Sequence, residues 1–174
     1  DSIADGDVFM TNDPFLGALH QNDVVIVSPL FRDGEIFMWI GNVLHHPDVG
    51  GIDAGSFCIN ARTLEDDPPR FFMKLLACGE LVTENEQTFV NNSRLPDAVA
   101  LDLRAQIGAI NVARDRLNDL LDERGENLVG DVMRQSIDLA ERQVRDFVRN
   151  LPDGEWAGEA FMDGVRVGDE RICR

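Results

Sequence analysis

Residues 24–31, VVIVSPLF, form an apolar, β-branched run; RDG at 32–34 is turn chemistry, and EIFMWIGNV at 35–43 is apolar again. Two such runs around Asp33-Gly34 predict a β-hairpin. Polar chain brackets it: TNDPFLGALHQND at 11–23 comes before, and HHPDVGG at 45–51 after. From there to about residue 70 the chain is punctuated by Gly and Pro, including EDDPPR, and reads as loops with short strands.

The second half changes period. Leu103, Ile107, Ile110, Leu117 and Leu121 follow i, i+4, i+7 spacing up to a stop at Gly125, which predicts one long amphipathic helix. Met133, Ile137, Ala140, Val144, Phe147 and Leu151 keep a second stripe, ended by Pro152 and Gly154. Asp138 to Arg142 and Glu141 to Arg145 form i, i+4 pairs on its far side. Both stripes read as ordinary core faces, with a partner interface as the alternative. EWAGEAFMDGVRVGDERICR then offers two short strands around Asp163-Gly164. The expected fold is α+β within a single fragment, 1–174: a β-rich N-terminal half with hairpins (1–95), two long antiparallel amphipathic helices (96–152) and a short C-terminal β-hairpin (153–174).

Composition narrows the partners. The 174 residues carry 16 Lys and Arg against 32 Asp and Glu, a formal charge of -16, which repels phosphate backbones and anionic lipid. No nucleic acid and no membrane is expected as partner. Cys58, Cys78 and Cys173 are odd in number and widely spaced, without a C-x-x-C, so a reducing, cytoplasmic setting is expected and each reads as a small hydrophobe rather than a nucleophile. The chain opens without Met and stops just after a hairpin pattern, so it reads as a piece of something longer that is inactive by itself.

The hairpin gives the flanking polar clusters their meaning. If the chain reverses between residues 33 and 34, opposing positions sum to about 67, so His20-x-x-Asp23 and His45-His46-x-Asp48 meet at one end of one ribbon. All three histidines of the chain fall in these two clusters. Two imidazoles and a carboxylate suit Mn, Fe or Zn and leave coordination positions open for water or substrate. Strict alternation from a two-residue turn puts His46 on the face of Asp23, whereas a bulge or a longer turn selects His45. Asn12-Asp13-Pro14 is either a turn initiator or a group that orients a ligand. Gly50-Gly51 is either a loop needing positive φ or a place where backbone approaches a substrate. Ser56 lacks a G-x-S-x-G setting, and neither G-x-x-x-x-G-K-[ST] nor G-x-G-x-x-G occurs.

GDVFMTNDPFLGALHQNDVVIVSPLF, DGEIFMWIGNVLHHPDVGG with GSF, NSRLPDAVALDLRAQIGA and DGEWAGEAFMDG, in that order, resemble the hydantoinase B family. That family includes B subunits of ATP-dependent N-methylhydantoinases, the C-terminal part of 5-oxoprolinases and the metal-bearing subunits of acetone and acetophenone carboxylases. The resemblance implies a hetero-oligomer. In it, a hydantoinase A-type subunit binds ATP and phosphorylates a carbonyl or bicarbonate oxygen, while this part holds a divalent metal (Mn, Zn or Fe) beside a small carbonyl or cyclic amide substrate. Carried over by position, the metal ligands are His20, Asp23 and the first histidine of HHPD, His45, which requires the bulge or longer turn. Asp48, Asp13 and Asn12 are then expected to take catalytic or substrate-orienting roles. Gly17-Ala18 departs from the Gly-Gly of many relatives. HHPDVGG is shared with hydantoinase and oxoprolinase types, whereas FMWIGN and GSFC look closer to aryl-ketone carboxylases, so the motifs assign no substrate. A non-catalytic scaffold or docking module is the competing expectation.

Overall fold

The computed structural model describes residues 3–162 and 171–173 of the chain. The chain divides into two compact units, 1–118 and 119–174.

The first unit is built on a five-stranded antiparallel sheet. Its strands are β1 (Val8–Thr11), β2 (Asp23–Arg32), β3 (Glu35–His45), β4 (Phe72–Ala77) and β5 (Glu80–Leu81), in the spatial order β3-β2-β1-β4-β5. Period-two alternation sets the buried face of β2, where Val24, Ile26 and Ser28 are inside and Val25 and Val27 are only partly covered. Val8, Met10, Leu30 and Leu75 extend this core, each at most 1% exposed. Full burial of such a side chain stabilises by about 1.5–3 kcal/mol.

Helix α1 (Thr83–Val90) adds Phe89, and α2 (Pro96–Arg124) adds Val99, Leu103 and Ile110, all buried. Pro96 opens α2, where a missing N–H costs nothing. Polar bonds tie α2 to the sheet: Gln106 Nε2 donates to Val24 O (2.9 Å) and to Asn42 Oδ1 (2.9 Å), and the Arg114 guanidinium donates to Ser28 Oγ.

The predicted hairpin is present, and its tip decides its register. Asp33 (φ 49°) and Gly34 (φ 83°) both adopt positive φ, the type I′ geometry that matches strand twist. Arg32 pairs with Glu35 and Phe31 with Ile36, but Leu30 pairs with Met38. Phe37 is left over as a β-bulge, and from Leu30 onward the ladder runs regularly to Asp23 opposite His45.

In the second unit, α3 (Glu126–Arg149) starts directly after Gly125, whose φ of 81° ends α2. The Glu141–Arg145 pair forms, at 2.7 Å. The stripe is a different matter. Met133, Ile137, Val144, Phe147 and Leu151 are all exposed, and α3 buries none of its residues, so the expected core face is not one here. A 3.6-residue period records that one side of a helix is apolar; it does not record what covers that side. Strands β6 (Ala160–Met162) and β7 (Arg171–Cys173) pair antiparallel, while the expected turn at Asp163-Gly164 lies outside the described residues. Among the described residues no helix is long and apolar enough to cross a membrane.

Candidate metal centre

With Asp23 opposite His45, the two polar clusters converge at the open end of the hairpin. His45 Nδ1 lies 2.8 Å from Asp23 Oδ1, and His20 Nε2 lies 3.5 Å from Asp23 Oδ2. The two imidazole rings are 4.9 Å apart. His20, Asp23 and His45 each offer one donor atom, all within 4.8 Å of one another. Donors that share one ion at about 2.0–2.2 Å stand no more than about 4.4 Å apart, so a small closing of the cluster would seat an ion. The Asp23 side chain is 13% exposed, against 26% for His20 and 46% for His45, so the cluster opens on the imidazole side.

The adjacent histidine points the other way. His46 is fully buried, with Nε2 donating to Gln106 Oε1 at 2.9 Å and its ring edge-on to Phe89. The Gln106 amide nitrogen already donates to carbonyl oxygens, so its oxygen is the acceptor and His46 the donor. Burial holds the His46 pKa below its ordinary value, although the Gln106 bond pulls against it. His46 is thus a neutral core residue, and the bulge sets His45, not His46, opposite Asp23.

The supporting residues have well-defined places. Asn12 is buried and ties the 13–22 loop to the 69–71 segment. Its Nδ2 donates to Gln21 O (3.1 Å) and Pro69 O (3.0 Å), and its Oδ1 accepts from Phe71 N (2.6 Å). Asp13 caps the short 3-10 turn Pro14–Leu16, accepting from Phe15 N at 2.9 Å, and lies 3.7 Å from Arg70. Asp48, 2% exposed, accepts from the amides of Gly50, Gly55 and Arg94, from Ser93 Oγ and from the Arg94 guanidinium. Burial by itself would raise the Asp48 carboxyl, but the bonds from Arg94 and Gly55 outweigh it and hold the pKa below the ordinary value. With its oxygens used in this way, Asp48 organises the loop that leads to Ser56 and is not directed at His20 or His45.

Gly50 (φ 105°) and Gly51 (φ 84°) face protein. A Cβ on Gly51 would stand 2.9 Å from Pro68, and one on Gly50 would stand 3.0 Å from Asn92 O. Positive φ and close packing, rather than approach of a ligand, account for this pair. Cys58 is partly covered, its Sγ donating to Asp66 O at 3.2 Å; Cys78, expected in the core, is exposed at φ 50° in the turn after β4.

Two residues with no role assigned from the sequence lie at the centre, and a third supports it from a distance. Ser56 Oγ is 2.7 Å from His45 Nε2, Phe57 stacks on His20 at 5.3 Å with an interplanar angle of 12°, and Arg94 anchors Asp48. A pocket of about 260 Å³ opens beside them, lined by His20, Ser56, Phe57, Cys58, Ile59 and Pro68 among others. The signal for Ser56 and Phe57 was GSF itself, which a search for a nucleophile motif does not pick out.

The sequence profile described as Hydantoinase B/oxoprolinase matches residues 1–173. Caprolactamase subunit beta of Pseudomonas jessenii is 31% identical over 167 residues, covering 94% of this chain and 28% of that protein. The acetophenone carboxylase delta subunit of Aromatoleum aromaticum is 27% identical over 179 residues, covering 99% of this chain and 26% of that protein. In three dimensions, the crystal structure of the ATP-dependent caprolactamase from Pseudomonas jessenii superposes with a TM-score of 0.81 at 31% identity, over 94% of this chain and 28% of that one. Acetone carboxylase in its nucleotide-free structure gives 0.64 at 26% identity, over 71% and 16%. Two of these relatives are named as subunits, of a caprolactamase and of an acetophenone carboxylase, both solved structures carry ATP dependence in their descriptions, and the chain spans 26–29% of the first curated relatives it matches. From the profile match over nearly every residue, the chain belongs to the Hydantoinase B/oxoprolinase family.

Proposed function

We propose that this chain is the metal-binding part of an ATP-dependent enzyme acting on a small carbonyl compound, either a cyclic amide hydrolase of the hydantoinase and oxoprolinase type or a ketone carboxylase. It would work in a hetero-oligomer with an A-type subunit that binds ATP. One observation carries the reading: His20 Nε2, Asp23 and His45 Nδ1, delivered by a loop and two strand ends, turn donor atoms toward one another beside a pocket that His20 lines. Two imidazoles and a carboxylate fit Mn, Zn or Fe, and three ligands leave room for substrate. A divalent ion held there supplies Lewis acidity to a carbonyl or acyl-phosphate oxygen.

The chain's own residues do the rest. Asn12 and Asp48 hold the two loops in register, Phe57 and Ile59 offer an apolar wall to the non-reacting part of the substrate, and Asp13 with Arg70 lies on a neighbouring rim. Residues 1–95 form the metal-bearing half of this piece, and 96–152 and 153–174 the parts that carry it.

Metal analysis of the full-length protein, wild type beside His20→Ala and Asp23→Ala, tests the assignment. Stoichiometric Mn, Zn or Fe is expected in the wild type and loss in both variants; unchanged metal content in the two variants would sink it. A substrate panel scored for ADP release with and without bicarbonate separates hydrolysis from carboxylation.

A second reading, a scaffold or subunit-docking module, is favoured by the apolar stripe of α3, none of which is buried. Normal turnover by a complex lacking all three donor side chains, together with assembly lost on changing Met133 or Val144, selects that reading.

A further inference from the structure

His45 is held at both ring nitrogens. Asp23 Oδ1 lies 2.8 Å from Nδ1 and Ser56 Oγ lies 2.7 Å from Nε2. A carboxylate only accepts, so Nδ1 carries the ring proton in this arrangement and Nε2 accepts from the Ser56 hydroxyl. Nδ1 is the atom on the side of Asp23, whose other oxygen faces His20. Nε2 is turned instead to the loop that carries Ser56.

We propose that Ser56 is a positioning residue of the metal centre: it fixes the His45 ring so that Nδ1 is the metal-binding atom, and it accepts the Nε2–H that ligation through Nδ1 requires. The inference rests on the metal reading above. The proton count is simple, because neutral imidazole has one ring proton. When the Nδ1 lone pair goes to a cation, that proton leaves Nδ1 by exchange with water and the neutral ring carries its proton on Nε2. A hydroxyl serves both states without moving its oxygen, donating to bare Nε2 and, after rotating, accepting from Nε2–H. A backbone carbonyl or an ionised carboxylate at the same place could serve only the second.

Ser56 is not a chance neighbour. Gly55, just before it, donates its N–H to Asp48 Oδ2 at 3.2 Å and takes a longer bond of 3.5 Å on its carbonyl from Asn22 Nδ2. Asp48 is fixed in turn by Arg94, whose guanidinium also donates to Gly51 O at 2.6 Å. The loop therefore leaves Asp48 and is drawn back to it one residue before Ser56. Phe57, the next residue, stacks on His20. Two consecutive side chains thus each set one histidine of the pair, by a hydrogen bond at His45 and by ring packing at His20.

The test measures Zn²⁺ and Mn²⁺ affinity of the full-length protein by competition with a chromophoric chelator, for wild type, Ser56→Ala, Ser56→Thr and His20→Ala. A crystal structure of the Zn²⁺-loaded wild type reports which nitrogen of His45 meets the ion. Ser56→Ala is expected to weaken binding about ten- to a hundredfold, and Ser56→Thr, which keeps the hydroxyl, to return it to within about threefold of wild type. The ion is expected on Nδ1. Wild-type affinity in Ser56→Ala beside loss in His20→Ala overturns the inference and leaves the metal centre standing; an ion on Nε2 does the same. Wild-type affinity in both variants overturns the inference and the metal reading together. Should Ser56→Ala fold poorly, the threonine variant decides: if it folds and still binds a hundredfold more weakly than wild type, the inference is overturned.

Discussion

Replacing Asp48 by Asn keeps the shape of the side chain and removes its charge. In the native loop, Oδ1 accepts from Gly50 N, Arg94 N and Ser93 Oγ, while Oδ2 accepts from Gly55 N at 3.2 Å and from the Arg94 guanidinium at 3.0 Å. An amide has one accepting oxygen. If it stays with the Oδ1 donors, its NH₂ group meets Gly55 N–H and the guanidinium donor to donor. The loss is one charge-assisted bond, about 1.5–3 kcal/mol, and one partly buried amide without an acceptor, about 1–3 kcal/mol. The Arg94 side chain is 44% exposed and can turn to water, which brings the expected cost down to about 2–4 kcal/mol at neutral pH. The pH dependence carries a sign. Because folding lowers the Asp48 pKa, its contribution is complete above the unfolded value near 3.8 and is lost as pH falls through the folded one. The gap between wild type and Asp48→Asn should therefore close below about pH 4. Asp7, fully buried and also held low, weakens both proteins alike in acid, so the difference isolates Asp48. Urea unfolding of both proteins at a series of pH values from 7 to 3 reads this directly. A gap under about 0.5 kcal/mol at pH 7, or one that stays constant into acid, would refute the reasoning.

Other outcomes follow from the same geometry. His45→Ala should abolish metal binding and change stability by less than about 1 kcal/mol, because the side chain is 46% exposed; His46→Ala should cost about 2–4 kcal/mol, by leaving a cavity and an unpaired Gln106, and keep the metal. Chelator competition and urea midpoints on the two variants check this double dissociation. Gly34→Ala should cost about 1 kcal/mol, since its Cβ would meet nothing, whereas Gly51→Ala, with Pro68 at 2.9 Å, should cost more than about 2 kcal/mol and also weaken metal binding; thermal melts rank the two. Ile137→Ser and Phe147→Ser, at 69% and 66% exposure, should each shift unfolding by no more than about 0.5 kcal/mol, and a larger shift would mean that α3 is covered in solution.

Much of the site was legible because it depends on two short-range rules. Asp33-Gly34 announces a type I′ turn, and strand alternation then puts two polar clusters at one end of one ribbon. His45 and His46 could not be separated by those rules, because the choice depends on Phe37 being squeezed out of the ladder, and nothing local marks Phe37 as unpaired. Ser56 and Phe57 had no role assigned for another reason: they reach the centre through a loop whose course is set by Asp48, an acceptor for five donors, two of them from Arg94. Long-range hydrogen bonds of that kind leave no periodic trace. In α3 the pattern was real and its interpretation was not, since an apolar stripe is the same string of residues whether it meets a core or stands open.

The odd residue near the hairpin tip separates what this ribbon can tolerate from what it cannot. Asp23 and His45 enclose residues 24–44, twenty-one positions, which two strands joined by a two-residue turn cannot share equally. The surplus is parked beside the turn, where length can be trimmed or added without touching the donors. Deleting Phe37 would leave every other pair of the ladder as it is. A slip of one step between Asp23 and Leu30, by contrast, would bring His46 to the face of Asp23 and turn His45 toward the space beside Gln106. Editing of this hairpin therefore has a safe end and an unforgiving one, separated by a single unpaired phenylalanine.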